Sequence, residues 1–545
     1  MNILERIYNL LQPDERGKVI KMATSVFFMA VLDFVSLAML LPVLYFLLEE
    51  NGEKEAALFF GLLAIVVILL KYVISTLLLR YQNQSLLTFY KRLSFSMFST
   101  YYNRGLLFIR SKGNSSLSYD INAVCYSFSH SLLSPLCRMA GDILLVLLFT
   151  VALVIWGGAS VMLLYVAFIP FVCFYVFVVR GRVRKYGIDD MRVKREQTKI
   201  VSEALRGYVD IEVNRAFPLF QRSFIEGMDR VSHNRMKLDG LLRLPFFLSE
   251  LSVVVSLVLL VISGGEDVKM LVGVFAIAAF RLLPAMKNIL TSWTQVQNSV
   301  YCLDVIEAGL SDDKSGVDRE ELCITFEKEI SVEGVSYVYP DGRRAIDNVD
   351  IRVLKGEYVG LCGRSGGGKS TLFNIMSALL KPTSGSIKID GVPLTDATRA
   401  SWIEQIAYVP QEVFIFGGTL AENIALGSSD ADGERVNEII GRVGLDAWVE
   451  ALPSGVNTHL VEMGSELSGG QKQRIGIARA LYKGASVLLL DESTSALDDA
   501  SEREINKTLY SIKEKDKNLT ILSIAHRKSS LEYCDRIITI GEDYE

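Results

Sequence analysis

Long apolar runs separated by polar connections fill the first 300 or so positions, whereas the rest of the chain carries only short apolar runs between polar turns. A run of about 20 apolar residues is long enough to cross a bilayer as a helix. On that basis spans are expected near Val19 to Leu48, Ala56 to Leu79, Pro135 to Trp156, Ala159 to Val179, Leu244 to Ser263 and Val268 to Leu290. Ahead of them, Met1 to Gly17 reads as a polar, partly amphipathic helix with Ile3, Ile7, Leu10 and Leu11 on one side, without the pattern of a cleavable secretory signal. A polar stretch from Leu310 to Glu321 ends the membrane pattern. It divides the chain into a membrane domain (1–310), a linker (311–328) and a second domain (329–545). In the second domain Ile330 to Tyr339, Ala345 to Leu354, Tyr358 to Cys362, Ser486 to Glu492 and Arg536 to Ile540 read as strands. The predicted class is an α-helical six-span transmembrane domain followed by an α/β domain.

Composition agrees, since 50% hydrophobic residues and a mean hydropathy of +0.30 over 545 residues are too apolar for a soluble chain of this size. Charge then sets the orientation, because basic residues favour the cytoplasmic side. The connection after the second span carries Arg80, Lys91, Arg92, Arg104, Arg110 and Lys112, and the one after the fourth opens with Arg180, Arg182, Arg184, Lys185, Arg192, Lys194, Arg195 and Lys199. Links after the first, third and fifth spans are short and acidic or neutral. Both termini are therefore expected in the cytoplasm. A net charge of −5 gives no reason to expect nucleic acid as a partner. Seven cysteines without CxxC spacing support neither a zinc site nor a disulfide framework, and free thiols are expected. Asp33, Asp142, Glu250 and Arg281 fall in or near spans, where a charge costs about 2.5 to 3.5 kcal/mol at a helix centre, so they should face a cavity or each other.

The chemistry lies in three motifs. Gly363-Arg364-Ser365-Gly366-Gly367-Gly368-Lys369-Ser370 has the GxxxxGK[ST] spacing, in which glycines let successive N–H groups wrap phosphate oxygens. It follows the Tyr358–Cys362 strand and opens a helix from Ser370 and Thr371 to Met376, whose positive N-terminus faces the anion. Lys369 would reach the β/γ-phosphates and the Ser370 hydroxyl would hold Mg²⁺. The Ser486–Glu492 run ends in Asp491 and Glu492, carboxylates placed for a metal and for the attacking water respectively. Between these motifs stands Leu467-Ser468-Gly469-Gly470-Gln471, opening a helix from Gln471 to Leu481.

In this order the three motifs resemble the Walker A loop, signature and Walker B strand of the ABC ATPases. The smaller family signs are also similar: Tyr339 before Pro340 as the adenine-stacking aromatic, Gln411 as the Q-loop, Ser495-Ala496-Leu497-Asp498 as the D-loop and His526 as the switch histidine. The resemblance implies ATP and Mg²⁺ as cofactors, with nucleotide contacts from Tyr339, Gly363, Arg364, Ser365, Gly366, Gly367, Gly368, Lys369, Ser370, Thr371, Gln411, Ser468, Gly469, Gly470 and Gln471. Ser370, Gln411 and Asp491 are expected at the metal, and Glu492 and His526 in catalysis.

A membrane domain preceding one ATPase domain resembles an exporter-type half-transporter, which implies a dimer, expected to be a homodimer because every ATP motif is intact. Each signature would then close on the partner's ATP. Loop tips at Lys112 to Leu117 and Tyr208 to Phe217 are candidates for docking on the ATPase domain. Glu462-Met463-Gly464 resembles an exporter loop, with Met463 replacing the usual basic residue. The chain stops shortly after the Arg536–Ile540 strand, so the family's final helices are expected to be missing without loss of an ATP motif.

The membrane part resembles bacterial flippases of lipid-linked oligosaccharides at Leu244-Pro245 with Glu250, and at Phe280 to Pro284 with Leu303 to Ile306. That resemblance makes Arg281 a phosphate or pyrophosphate contact; a salt bridge with Glu250 or a snorkelling side chain is the alternative. ATP-driven export or flipping of an amphiphile at a bacterial inner membrane is thus expected, with a peptide or multidrug exporter as the alternative. A non-transport ABC ATPase would lack the six apolar segments.

Overall fold

The computed structural model describes residues 3–40, 42–43, 46, 54–157, 162–262, 268–311, 322–364, 366–428, 430–461, 464–491, 499–524 and 531–540. The chain divides into two compact units, Met1–Gly316 and Val317–Glu545.

The first unit is helical. Where one helix was expected over Met1 to Gly17 there are two, Ile3–Leu10 and Pro13–Ala38. The correction has a simple cause: Pro13 lacks an N–H and its fixed φ suits the first position of a new helix. The apolar side is as expected, with Ile7 and Leu11 buried and Ile3 and Leu10 packed beside them. Arg6 pairs with Asp304 and Glu307, both at 2.6 Å.

Each expected span falls largely on a long helix: Pro13–Ala38, Lys54–Asn103, Ser134–Gly157, Met162–Arg206, Phe217–Ile262 and Val268–Ser299. Among the described residues three stretches, Pro13–Ala38, Leu58–Asn103 and Asn114–Ala152, are long and apolar enough to cross a membrane. Much of the fourth to sixth expected spans has side chains outside the described residues. Lys54–Asn103, at 50 residues, is about 75 Å long at 1.5 Å per residue, well beyond a bilayer's apolar core, so its polar half extends out of the membrane. There Arg92 grips the buried Glu15 through Nε (2.8 Å) and a second nitrogen (2.7 Å). Asp33 meets Lys71 at 2.7 Å, a partner that span periodicity did not reveal. Glu250 is exposed, and the Arg281 side chain lies outside the described residues.

The second unit holds two main sheets. β1 (Glu329–Val338), β2 (Arg344–Leu354), β4 (Ser384–Ile389) and β5 (Val392–Pro393) form an antiparallel sheet in the order β2-β1-β4-β5. β3 (Tyr358–Cys362), β6 (Ile406–Val409), β9 (Val487–Asp491), β10 (Thr520–Ile524) and β11 (Arg536–Thr539) form a parallel sheet ordered β11-β3-β10-β9-β6. A short pair, β7 (Gly418–Thr419) with β8 (His459–Leu460), completes the strands among the described residues. Both faces of the parallel sheet are covered at its centre, which is why β9 and β10 are buried at every position instead of alternating, whereas the edge strand β11 is largely exposed. Of the expected linker, 312–321 lie outside the described residues, while Ile324 and Phe326 are buried and Phe326 sits edge-on to Trp402.

Candidate nucleotide site

In an open parallel sheet, ligands gather at the carboxyl ends of the strands. Here β3 runs into the glycine loop, β9 ends in Asp491 and β6 leads to Gln411, all at that edge. The loop's shape depends on glycine at two positions. Gly368 has φ +82°, and a Cβ there would lie 2.1 Å from the Ala345 carbonyl oxygen. At Gly363, φ is +145° and a Cβ would lie 2.2 Å from the Ile540 oxygen. Helix Lys369–Met376 follows at once, so its free N–H groups point into the loop.

Lys369 is buried, and its Nζ donates to the carbonyls of Gly363 and Arg364, each at 2.9 Å. A cleft of about 210 Å³ opens beside it, lined by Gly366 to Thr371, Tyr339 and the arginines Arg343 and Arg344. The Tyr339 hydroxyl lies 3.0 Å from Thr371 Oγ1, which ties the expected adenine-stacking ring to the phosphate loop. The Arg343 guanidinium covers that ring at 4.8 Å from its centroid. Arg343 was not anticipated; its signal was the Pro340-Asp341-Gly342 turn, which brings the chain back beside Tyr339.

Asp491 is 6% exposed. Its Oδ1 accepts from Ser370 Oγ (2.9 Å) and its Oδ2 from the Tyr408 hydroxyl (2.7 Å). Two hydroxyl donors and no cationic side chain among the described residues leave a buried carboxylate in need of positive charge. Hard oxygen donors of this kind suit Mg²⁺, which takes few protein ligands and completes its shell with water and phosphate.

The signature opens the 15-residue helix Gly469–Lys483. Ser468 caps it: its Oγ accepts from Gln471 N–H (3.2 Å), and Gln471 Oε1 accepts from Ser468 N–H (2.8 Å). Leu467 is buried, while Ser468 and Gly469 are exposed and a Cβ on Gly470 would meet nothing within 4 Å, so the motif faces outward. Further along the helix, Gln473 Nε2 donates to the Gln411 carbonyl at 2.9 Å. Arg479 donates to the Phe414 and Asn423 carbonyls, and burial lowers its guanidinium to about 10. The helix is thereby fastened to the segment after Gln411. Of the expected site residues, Ser365, Glu492 and His526 lie outside the described residues, as do 462–463 and the 495–498 segment.

Glycine loop, capped signature helix and buried carboxylate together define a P-loop nucleotide-binding domain carried behind a helical, membrane-type unit. The sequence profile of the family described as "ABC transporter" matches residues 346–495. An ATP-dependent lipid A-core flippase of Ralstonia nicotianae is 34% identical over 388 residues, 68% of this chain and 64% of that protein. The protein of the same description from Paraburkholderia xenovorans is 31% identical over 441 residues, 77% of this chain and 72% of the relative. The one from Burkholderia orbicola is 28% identical across 99% of this chain and 91% of the relative. In fold, the chain is similar to a bacterial Atm1-family ABC exporter with ATP bound, with a TM-score of 0.83, 20% identity and coverage of 96% of this chain and 93% of that one. The chain belongs to the ABC transporter family.

Proposed function

We propose that this chain is one half of a homodimeric, six-span ABC exporter that uses ATP to flip a lipid-linked oligosaccharide or related amphiphile across a bacterial inner membrane. A membrane domain over 1–310 is joined through 311–328 to an ATP-binding domain over 329–545, with both termini cytoplasmic. The observation that carries the reading is the pairing within one domain of a buried Ser370–Asp491 contact at the sheet edge with an outward-facing signature at Ser468. The first suits a domain's own ATP; the second is free to meet a partner's. For the cargo, the support is the description of the relatives as lipid A-core flippases, since lipid A-core is a saccharide-bearing lipid.

In the proposed site the loop N–H groups and Lys369 bind the phosphates, Tyr339 and Thr371 seat the base and the helix start, and Ser370, Asp491 and Gln411 would hold Mg²⁺. When bound, the ion would supply positive charge to offset that of the phosphates. Glu492 orients water for attack on the γ-phosphorus; the bond to the bridging oxygen breaks, ADP carries that oxygen away and phosphate is released. His526 steadies the γ-phosphate, and Ser468 with the signature helix's N-terminus closes the partner's site. The loop tips at Lys112 to Leu117 and Tyr208 to Phe217, the latter exposing Tyr208, Val209, Val213 and Phe217, are the proposed docking points.

Reconstitution in liposomes with lipid-linked oligosaccharides, plain lipids or peptides tests this. Hydrolysis by the wild type should rise with the glycan-bearing lipid, and Glu492→Gln should lower it by about a hundredfold or more. Stimulation by peptides alone would move the chain to the peptide-exporter class.

A further inference from the structure

We infer that Tyr408 is a positioning residue for Asp491, holding one carboxylate oxygen so that the other stays aimed at Ser370 and the metal position; this rests on the reading of the site as an Mg²⁺-dependent ATP site. Asp491 closes β9, and each of its oxygens has one hydroxyl partner, Ser370 from the phosphate loop's helix and Tyr408 from the neighbouring strand. Tyr408 lies on β6 in register with Leu489, two residues before Asp491, so its side chain reaches along the sheet to the strand end. The ring is edge-on to Phe373, with centroids 6.4 Å apart and an interplanar angle of 82°. Phe373 is fully buried in the Lys369–Met376 helix, so the ring that carries the hydroxyl is itself braced by the element that carries Ser370.

The ring by itself accounts for the packing against Phe373. The hydroxyl adds a donor beside a buried carboxylate, and a carboxylate rotates softly about its last torsion unless an oxygen is anchored. Partners that orient a ligating carboxylate commonly change metal affinity by 10- to 100-fold when removed.

Tyr408→Phe keeps the ring and removes only the hydroxyl. The experiment titrates Mn²⁺ by electron paramagnetic resonance into the full chain in lipid nanodiscs, with a non-hydrolysable ATP analogue present. Mn²⁺ affinity should fall about tenfold, while analogue affinity in EDTA stays at the wild-type level. The Mg²⁺ concentration for half-maximal hydrolysis should rise in parallel, with KM for ATP at saturating metal unchanged. Wild-type Mn²⁺ affinity in Tyr408→Phe overturns the inference, and so does an equal loss of analogue affinity without metal, which would mark general damage. Tyr408→Leu should weaken Mn²⁺ at least as much; an intact Mn²⁺ site there also overturns it. A wild type that binds Mn²⁺ with the analogue but hydrolyses no ATP would sink the proposed function and leave the Mn²⁺ comparison readable.

Discussion

Leu69 on the Lys54–Asn103 helix is 61% exposed, whereas Leu489 on β9 is 0% exposed. Both sit in apolar runs, and the contrast repeats along the apolar half of that helix, where Leu58, Ile65 and Val73 face outward, while Val487, Leu488 and Leu490 are wholly enclosed in the second unit. In the helix's later half Phe89, Leu93 and Met97 instead pack into a protein core. An apolar residue needs only to leave water, and a bilayer accepts it without any complementary protein surface. The nucleotide-binding unit has no such solvent, so its apolar residues must pack against each other at interior density. The membrane-crossing stretches are therefore specified by composition and length, the nucleotide-binding unit by shape.

The sharpest break between them is a pair of truncations. Leu489→Ala should destabilise the nucleotide-binding unit by about 2 to 5 kcal/mol, the cost of a cavity in a close-packed core. Leu69→Ala should change stability by less than about 1 kcal/mol, because no protein cavity forms. Calorimetric unfolding of the full chain in detergent gives both values, and equal losses would erase the distinction.

A smaller effect is expected where the membrane unit departs from its own rule. Asp33 and Lys71 lie on apolar helices and meet at 2.7 Å. Lys71→Met alone leaves a carboxylate without its cation and should cost about 3 kcal/mol, and adding Asp33→Leu should recover most of it. Unfolding in mixed micelles reads the cycle, and strictly additive losses would show that the pair is not coupled.

The least effect is expected at a turn of the second unit. Asp390 (φ +49°) and Gly391 (φ +85°) link β4 to β5, and the Asp390 carboxylate accepts from the N–H groups of Glu327, Lys328 and Glu329. Burial raises its pKa but those bonds outweigh it, so the net shift is downward from 3.8. Its contribution is therefore present above the ordinary carboxylate range and is lost as pH falls through the lowered value. Asp390→Asn should cost about 1 kcal/mol at neutral pH, and thermal melts of the two proteins should converge once the pH has fallen through the lowered value. A difference that persists in acid would assign the effect to backbone geometry instead.

Legibility followed the same divide. β1, β2, β3, β9 and β11 lie within a residue or so of their expected ends; for the buried β3 and β9 the reason is that they abut motifs whose glycines and carboxylates mark the boundaries. The long helices were legible from length alone. Contacts between elements were not: β6 (Ile406–Val409) is absent from the expected strands, and even a strand pattern there would give the face of Tyr408 and not its partner. Lys71 was likewise hidden within an apolar run. The break before Pro13 was missed because the amphipathic spacing continues across it.

Two glycines of the ATP motifs differ in why they cannot easily change. At Gly368 any side chain collides with the Ala345 carbonyl, whereas at Gly470 a methyl group meets open space. Variation at Gly368 is thus closed by the architecture of the chain before chemistry is consulted. At Gly470 the chain itself imposes no such bar, and whatever restraint natural variation shows there must come from something beyond this single chain.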